Sequence, residues 1–350
     1  MIEATCKVLH TVEATYCLPI RIEIGGEIGI PAALHCGKYL SDEVADFCHN
    51  IFQFNGAILA GAAGGRFVYD LRRRFHLYYK LNPLRSYPEL REVCRIKLPV
   101  RPVDILVVRE TLQGIYQADT VEANTESGRE VRHTYWNSEE QVRAVLKKGI
   151  EFAQARRKSL TVVGKRGGLP ALFSLWSECA IELARSSGVE LALLDIDYAA
   201  YKMLQEPESF DVVVANNCFG DILSDIGGVL AGSRGLTFGA SYSKDGDAVY
   251  QTNHGAAYDR ADTDTVNPVA QIFSLAMMFR QTFGLPWVAH SIEDAVRAVW
   301  GKGWRTADLA ESNCQIAGTR KIGELVAREI ELAEVEEASA PRYGFSKVAV

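Results

Sequence analysis

Short apolar runs recur along the middle of this chain, separated by stretches long enough to form helices. Strands are predicted at 104–110, which ends in charge, and at 160–163, 191–195 and 211–214, and helical patterns lie at 139–156 and 172–186. Two further strands are predicted nearer the start, at 20–24 and 56–60. Strands that alternate with helices of this length are typical of a mostly parallel sheet with helices on its faces, so we predict an α/β fold.

The glycine patterns that usually hold a nucleotide are missing. Neither G-x-G-x-x-G nor G-x-x-x-x-G-K-[ST] occurs in the sequence. A standard Rossmann fingerprint and a P-loop are therefore excluded, and any nucleotide must be held in another way.

Composition limits the classes of partner. The 350 residues carry a net charge of -6 and show no dense basic stripe, which argues against nucleic acid and favours a small molecule. No apolar run approaches the length of a membrane span. The eight cysteines form no C-x-x-C pair, so we expect reduced thiols and a cytoplasmic location.

Two carboxylates follow the predicted strand at 211–214. Asp221 and Asp225 are four residues apart at the start of a predicted helix and would share one of its faces. Considered alone, the pair would be interpreted as two acidic residues in the solvent-exposed first turn of a helix. Its position after a strand also suits a ligand or a cation, because α/β sheets bind ligands at the carboxyl ends of their strands.

Three segments together resemble a known family. They are Arg109-Glu110 with Gly114-Ile115-Tyr116, the run 217–225, and His254-Gly255-Ala256-Ala257 with Asp259 and Asn267-Pro268. Their order and spacing resemble the isocitrate/3-isopropylmalate dehydrogenase family of decarboxylating β-hydroxyacid dehydrogenases, over about residues 3–335. The resemblance is closer to the isopropylmalate, tartrate and D-malate type than to isocitrate, and it implies the family's two-domain fold.

The resemblance implies a metal site shared between two chains. Asp221 and Asp225 would supply ligands from one chain, and Asp197 would supply one from the second chain of a homodimer. Carboxylate oxygens suit Mg²⁺ or Mn²⁺. In the absence of the family resemblance, Asp197 is interpreted equally well as a turn residue at the end of a strand.

The family also implies two proton-transfer residues. Lys165 would take the substrate's hydroxyl proton, for which it must be neutral, and Tyr116 would deliver a proton to the enolate carbon. The surroundings of Lys165 depart from the family pattern, since Gly164 and Gly167 stand where an acidic residue and an asparagine are usual.

The substrate anchor departs further. Arg72 and Arg109 match two of the family's three carboxylate-binding arginines, and Asn82 stands where the third is expected. Either another arginine compensates or the substrate has changed. Val68 and Tyr69 occupy the stretch that reads the substrate's variable group, and they favour an apolar or aromatic substituent over a third carboxylate.

The expected cofactor is NAD. The resemblance assigns cofactor binding to His254, Gly255, Ala256, Asp259 and Asn267. A carboxylate at 259 would accept hydrogen bonds from the ribose and repel a 2′-phosphate, so NAD is preferred over NADP, although the neighbouring Arg260 leaves NADP open.

The expected domains are discontinuous. Residues 1–78 and 232–350 would form the cofactor-binding large domain, and 79–231 the small domain with the metal site and a dimerisation arm near 117–138. The chain begins at the helix that follows the family's first strand and acidic glycine loop. The tail at 342–350 resembles that strand, and we hypothesise that it fills the vacant place; a disordered tail is the alternative.

Two functions remain open at this point. The first is metal- and NAD-dependent oxidation, with decarboxylation, of a malate-type 2-hydroxy acid that carries an apolar 3-substituent or an atypical acid group. The second is a weak or regulatory family member that binds ligand and assembles without efficient turnover. The retained Tyr116, Lys165 and aspartates favour the first function, and Asn82 and Gly167 favour the second.

Overall fold

A computed structural model of the chain describes residues 1–94, 96, 97, 99 and 101–337. The helices are α1 (Ile2–Thr15), α2 (Ile30–Cys36), α3 (Asp42–Gln53), α4 (Phe67–Arg74), α5 (Glu139–Gln154), α6 (Pro170–Ala184), α7 (Ile196–Gln205), α8 (Asn217–Ala231), α9 (Val269–Gln281), α10 (Pro286–Gly301) and α11 (Thr319–Glu337). The strands are β1 (Ile58–Leu59), β2 (Tyr79–Arg85), β3 (Asp104–Glu110), β4 (Asp119–Thr125), β5 (Gly128–Thr134), β6 (Ser159–Gly164), β7 (Glu190–Asp195), β8 (Val212–Ala215), β9 (Phe238–Tyr242), β10 (Ala248–Thr252), β11 (Trp304–Arg305) and β12 (Gln315–Ile316).

One large sheet organises the described chain. Its strand order is β1-β10-β9-β2-β3-β8-β6-β7. Parallel pairs join β3, β8, β6 and β7, and β1 to β10, whereas β10, β9, β2 and β3 pair antiparallel in turn. Helices pack on this sheet, and the predicted α/β class is confirmed.

The three inner strands of the parallel half, β3, β8 and β6, are largely apolar because both of their faces are covered. All four residues of β8 are buried, and β3 and β6 are buried at nearly every position. A strand buried on both faces needs a continuous apolar run rather than an alternating one. This explains why the sequence signalled these strands clearly.

The sheet changes its source of strands between β9 and β2. Five neighbouring strands come from within 79–231, namely β2, β3, β8, β6 and β7. The three strands β1, β10 and β9 come from outside that range. The β4–β5 hairpin stands apart from the large sheet, with every residue of both strands exposed. It lies within the segment for which we predict an arm.

The predicted strand at 20–24 is wrong, because no strand is assigned there. Residues 22–28 and the strand β1 line an apolar cavity of about 370 Å³ together with α1 and α3. β1 is the end strand of the sheet and pairs only with β10 among the described residues. Residues 20–24 thus form no backbone ladder with the free edge of β1, although 22–28 line the same cavity.

The hypothesis for the tail at 342–350 concerns residues outside the described ones.

None of the helices in the described part of the chain has the length and apolar character that crossing a bilayer requires. All eight cysteines are free thiols.

Candidate active site

The parallel strands bring several predicted site residues to one edge of the sheet. Arg109 lies at the end of β3, Lys165 directly follows β6, and Asp197 follows β7 by two residues. The strand β8 ends at Ala215 and leads into α8. Because these strands run in the same direction, their carboxyl ends meet, which is where such sheets bind ligands.

Helix α8 carries the acidic pair. The side chain of Asn216 accepts a hydrogen bond from the Phe219 backbone N–H at 2.9 Å and caps the helix. Asp221 and Asp225 then follow one turn apart, with 42% and 46% of their side chains exposed. Gly220 faces β3, and a Cβ there would come within 2.8 Å of the Arg109 side chain, so the glycine permits close packing.

Arg109 is the centre of a buried hydrogen-bond network. Its Nε and Nη2 donate to Asn217 Oδ1 at 3.1 and 2.7 Å, and its Nη1 pairs with Asp221. Asn217 in turn donates through Nδ2 to the Gln113 carbonyl oxygen at 2.9 Å. Asn217 is a positioning residue to which the sequence assigned no role, although it stands in the recognised run 217–225.

The structure brings Tyr116 to this network. The Arg109 guanidinium lies 5.7 Å from the centre of the Tyr116 ring, and Cys218 Sγ donates to the phenol oxygen at 3.7 Å. Burial, the Cys218 contact and the Asp221 charge raise the pKa of Tyr116 well above its usual range. The phenol is therefore held in its protonated form, as a proton donor requires.

Arg72 and Tyr69 form the next wall of the site. They share a face of α4, and the Arg72 guanidinium lies 5.8 Å from the centre of the Tyr69 ring. The Tyr69 ring in turn contacts the Tyr116 ring edge to face, with 5.9 Å between the ring centres. Arg72 is 3% exposed, and its Nη1 has no hydrogen-bond partner. Burial and the neighbouring Arg109 lower the pKa of Arg72 to about 9. Val68 packs instead against the cluster of apolar residues around α3.

Asn82 is more deeply buried than a substrate-binding residue at the protein surface would be. It is 0% exposed, and neither its Nδ2 nor its Oδ1 has a hydrogen-bond partner. Its partner across the β2–β3 ladder is Val107, which is fully buried. The amide therefore lies in the protein interior.

Lys165 and Asp197 form a pair of their own. Lys165 Nζ donates to Asp197 Oδ1 at 2.7 Å, and Asp195 lies 3.9 Å away. The Asp197 hydrogen bond raises the pKa of Lys165, so this single chain does not itself produce the neutral lysine that the chemistry requires.

The three aspartates do not meet within one chain. Asp221 pairs with Arg109, Asp225 pairs with Arg234 at 2.8 Å, and Asp197 pairs with Lys165. In the described ranges no three His, Cys, Asp or Glu side chains are close enough together to hold a metal ion. Asp221 and Asp225 are oxygen ligands of the kind that Mg²⁺ and Mn²⁺ prefer, so one chain fits half of a site.

The loop that follows β10 forms the other side of the candidate site. The Gly64 backbone N–H donates to the Tyr258 hydroxyl at 3.1 Å, which joins this loop to the turn after β1. A cavity of about 610 Å³ lies beside them, lined by Ala62, Ala256, Arg260 and residues at the starts of α1 and α11. Its size suits part of a nucleotide.

The predicted cofactor residues of this loop differ in their availability. The Asp259 side chain is 80% exposed and lies 4.0 Å from Arg260. The side chain of Asn267 already has hydrogen-bond partners within the chain: its Nδ2 donates to Asp308 at 3.1 Å, and its Oδ1 accepts from the Val269 N–H at 3.0 Å.

Burial lowers the pKa of His254, whose Nε2 has no hydrogen-bond partner. Gly255 has open space where a side chain would stand, and the neighbouring Ala256 lines the cavity.

Comparison with protein families gives one match that covers nearly all of the described chain. The profile described as isocitrate/isopropylmalate dehydrogenase matches residues 1–326.

Individual proteins agree with that match. A 3-isopropylmalate dehydrogenase of Carboxydothermus hydrogenoformans is 38% identical over 292 residues, covering 78% of this chain and 77% of its own length. The enzyme of the same name from Nitratidesulfovibrio vulgaris is 34% identical and covers 92% of this chain and 91% of its own. Among solved structures, isocitrate dehydrogenase from Methylococcus capsulatus superimposes with a TM-score of 0.81 at 28% identity, covering 94% of this chain and 95% of its own.

Proposed function

We propose a function for this chain from the premise that it belongs to the isocitrate/isopropylmalate dehydrogenase family. It is accordingly an NAD-dependent, decarboxylating dehydrogenase of a small hydroxy acid, with a divalent metal as its second cofactor. The substrate we propose is a malate-type 2-hydroxy acid with an apolar 3-substituent. The convergence of Arg72, Arg109, Tyr116 and Asp221 on one buried network carries this proposal.

The arginines would bind and orient the substrate. The Arg72 Nη1 group is a buried donor without a partner, which a carboxylate oxygen would satisfy. Tyr69 presents an aromatic ring beside this donor, and an apolar substituent would pack against it.

The proton transfers would be carried out by two side chains. Lys165, relieved of Asp197 in the assembled dimer, would accept the proton of the substrate hydroxyl. Tyr116, held protonated by its surroundings, would protonate the enolate carbon that remains after CO₂ leaves.

The two cofactors would bind on opposite sides of these groups. When bound, NAD accepts the hydride and the divalent metal stabilises negative charge on the substrate oxygen. Asp221 and Asp225, with Asp197 of a second chain, would hold the metal. The loop 254–267 would hold NAD, with Asp259 toward the ribose.

The test of this function is NADH formation with Mn²⁺ over a panel of 3-substituted malates. We expect turnover of alkyl-substituted malates, little of isocitrate, and a strong loss in Tyr116→Phe. Absence of turnover on every malate, while NAD and metal still bind, would contradict the dehydrogenase proposal.

One observation favours the second function, a weakly active or regulatory member. Asn82 leaves two buried amide atoms unsatisfied where the family has a substrate-binding arginine. The same panel decides between the two, because a regulatory member would bind a malate in calorimetry and form no NADH.

The remaining parts of the proposal concern location and assembly. Eight free thiols fit a reducing compartment, and we propose a cytoplasmic location. We also propose a homodimer, with the exposed β4–β5 hairpin as its arm.

A further inference from the structure

A buried lysine beside the site has no role in the mechanism above. Lys80 lies in β2 directly opposite Arg109 of β3, and it is 3% exposed. Directly opposite residues of an antiparallel pair place their side chains on the same face. Two cations that face each other in the interior destabilise the fold unless an anion lies near both.

The described residues do not supply a dedicated anion for Lys80. Asp221 is paired with Arg109 and Asp225 with Arg234, and no carboxylate of the described chain forms an ion pair with Lys80. Burial and the charges of Arg72 and Arg109 lower the pKa of Lys80 well below its usual range, while the two aspartates partly oppose them.

The stem of Lys80 lies in a space that the neighbouring strand keeps open. A Cβ at Gly239 of β9 would lie 3.1 Å from Lys80 Cε and 3.1 Å from Asn253 Oδ1. The Lys80 charge also contributes to lowering the pKa of His254. Lys80 therefore lies between the substrate arginines and the loop that follows β10.

Unsatisfied polar atoms surround this position. Arg72 Nη1, Asn253 Oδ1 and His254 Nε2 are buried without hydrogen-bond partners, as are both amide atoms of Asn82. Buried polar groups are nearly always paired in native proteins, so a cluster of unpaired ones indicates a missing ligand.

We infer that Lys80 binds a carboxylate of the substrate together with Arg72 and Arg109, and so replaces the anchor that Asn82 lacks. Lys80 and Asn82 share a face of β2, two residues or about 6.6 Å apart. The second acid group of the substrate would thus lie nearer the loop after β10. An ammonium is a point charge without the planar fork of arginine, so it holds the acid group without fixing its plane.

This inference rests on the proposed function and predicts a dicarboxylate substrate. The probes are D-malate and (R)-2-hydroxybutyrate, which differ only in a methyl group at the place of the second carboxylate. Calorimetry with Mg²⁺ gives the ratio of their dissociation constants. We expect Lys80→Met to lower the preference for malate about 10- to 100-fold, the loss of one charge-assisted hydrogen bond.

Two further variants make the test specific. Lys244→Met removes an exposed lysine that pairs with Glu140 at 3.0 Å, and it should leave the preference unchanged. The double variant Lys80→Asn with Asn82→Arg moves the cation to the family's usual place and should restore the preference. Lys80→Met should also raise the melting temperature, because it removes a buried cation without an ion pair.

The outcomes separate the two proposals. An unchanged preference in Lys80→Met, or equal weakening of both ligands with a lower melting temperature, would overturn the role of Lys80. A wild-type chain with no preference for malate would overturn it as well. Preference for malate that depends on Lys80, without NADH formation, would support Lys80 and contradict the dehydrogenase.

Discussion

At the scale of single residues, this site combines an excess of buried cations with carboxylates that are nearly all paired. Arg72, Lys80 and Arg109 are each at most 3% exposed. Only Arg109 has a carboxylate partner among the described residues, and Asp221 is that partner. Burying charge costs free energy, so this arrangement is evidence for an anionic ligand rather than for stability.

Glu110, next to Arg109, gives a prediction of pH dependence. Its Oε1 accepts from the Leu112 and Gln113 backbone N–H groups, and its Oε2 is buried without a partner. Burial raises the pKa of Glu110 from 4.5 to about 7. The protonated form is favoured in the native state, so this stabilising contribution is complete below pH 4.5 and is lost as the pH rises through 7.

We therefore expect Glu110→Gln to remove part of the pH dependence of stability. Between pH 4.5 and pH 8 the wild type should lose about 3 kcal/mol relative to this variant. Urea unfolding at both pH values measures the difference, and Glu208→Gln, at an exposed position, is the control. Parallel pH profiles for wild type and Glu110→Gln would show that Glu110 titrates normally.

At the scale of elements, the position of α8 depends on how closely it approaches the sheet. A Cβ at Gly227 would lie 2.3 Å from Leu84 Cδ2 in β2, a contact that real side chains do not make. The helix must therefore carry a glycine at this position to hold Asp221 against Arg109 at the end of β3.

Gly227→Ala should move α8 away from β2. We expect a loss of about 1–3 kcal/mol in unfolding free energy from overpacking, with weaker Mn²⁺ binding because the acidic pair moves with the helix. The matched control is Gly301→Ala in α10, where a Cβ meets nothing within 4 Å. Equal stability of the two variants would mean that the α8 contact relaxes without cost.

At the scale of the whole molecule, the separation of Asp197 from Asp221 predicts that two chains complete each active site. Mixing an Asp197→Asn chain with an Asp221→Asn chain gives mixed dimers in which one of the two sites has all of its aspartates. We expect each variant alone to be inactive and the refolded equimolar mixture to recover about a quarter of wild-type activity. A mixture as inactive as its components would contradict a shared site.

The cavity beside β1 concerns the whole molecule as well. We propose, from the resemblance of 342–350 to the family's first strand, that this segment takes the place of that strand in the sheet. An apolar cavity of about 370 Å³ lies between 22–28 and β1 in the described part of the chain.

Deleting 342–350 should therefore lower the melting temperature by several degrees, because an apolar surface is left open. Substituting Val348 and Val350 with Asp in the full-length chain should have a similar effect. An unaltered melting temperature in both would contradict the proposal.

The sequence by itself was sufficient for the fold class, and it proposed the chemical groups of the site. The strands β3, β6 and β8 are buried on both faces, which forces continuous apolar runs, and such runs are visible without a structure. The run 217–225 and Tyr116 were recognisable from their order and spacing. The strand at 20–24 was mispredicted because β propensity does not reveal whether a segment pairs with the strand beside it.

Only the tertiary structure decided which of these groups meet. Lys80 has no motif of its own, and its importance follows from the β2–β3 register that places it opposite Arg109. Asn217 likewise acquires its role from the 2.7 Å hydrogen bond that it accepts from Arg109, 108 positions earlier in the chain. Local propensity and spacing determine elements, whereas the charge balance of a buried site depends on contacts between residues far apart in sequence.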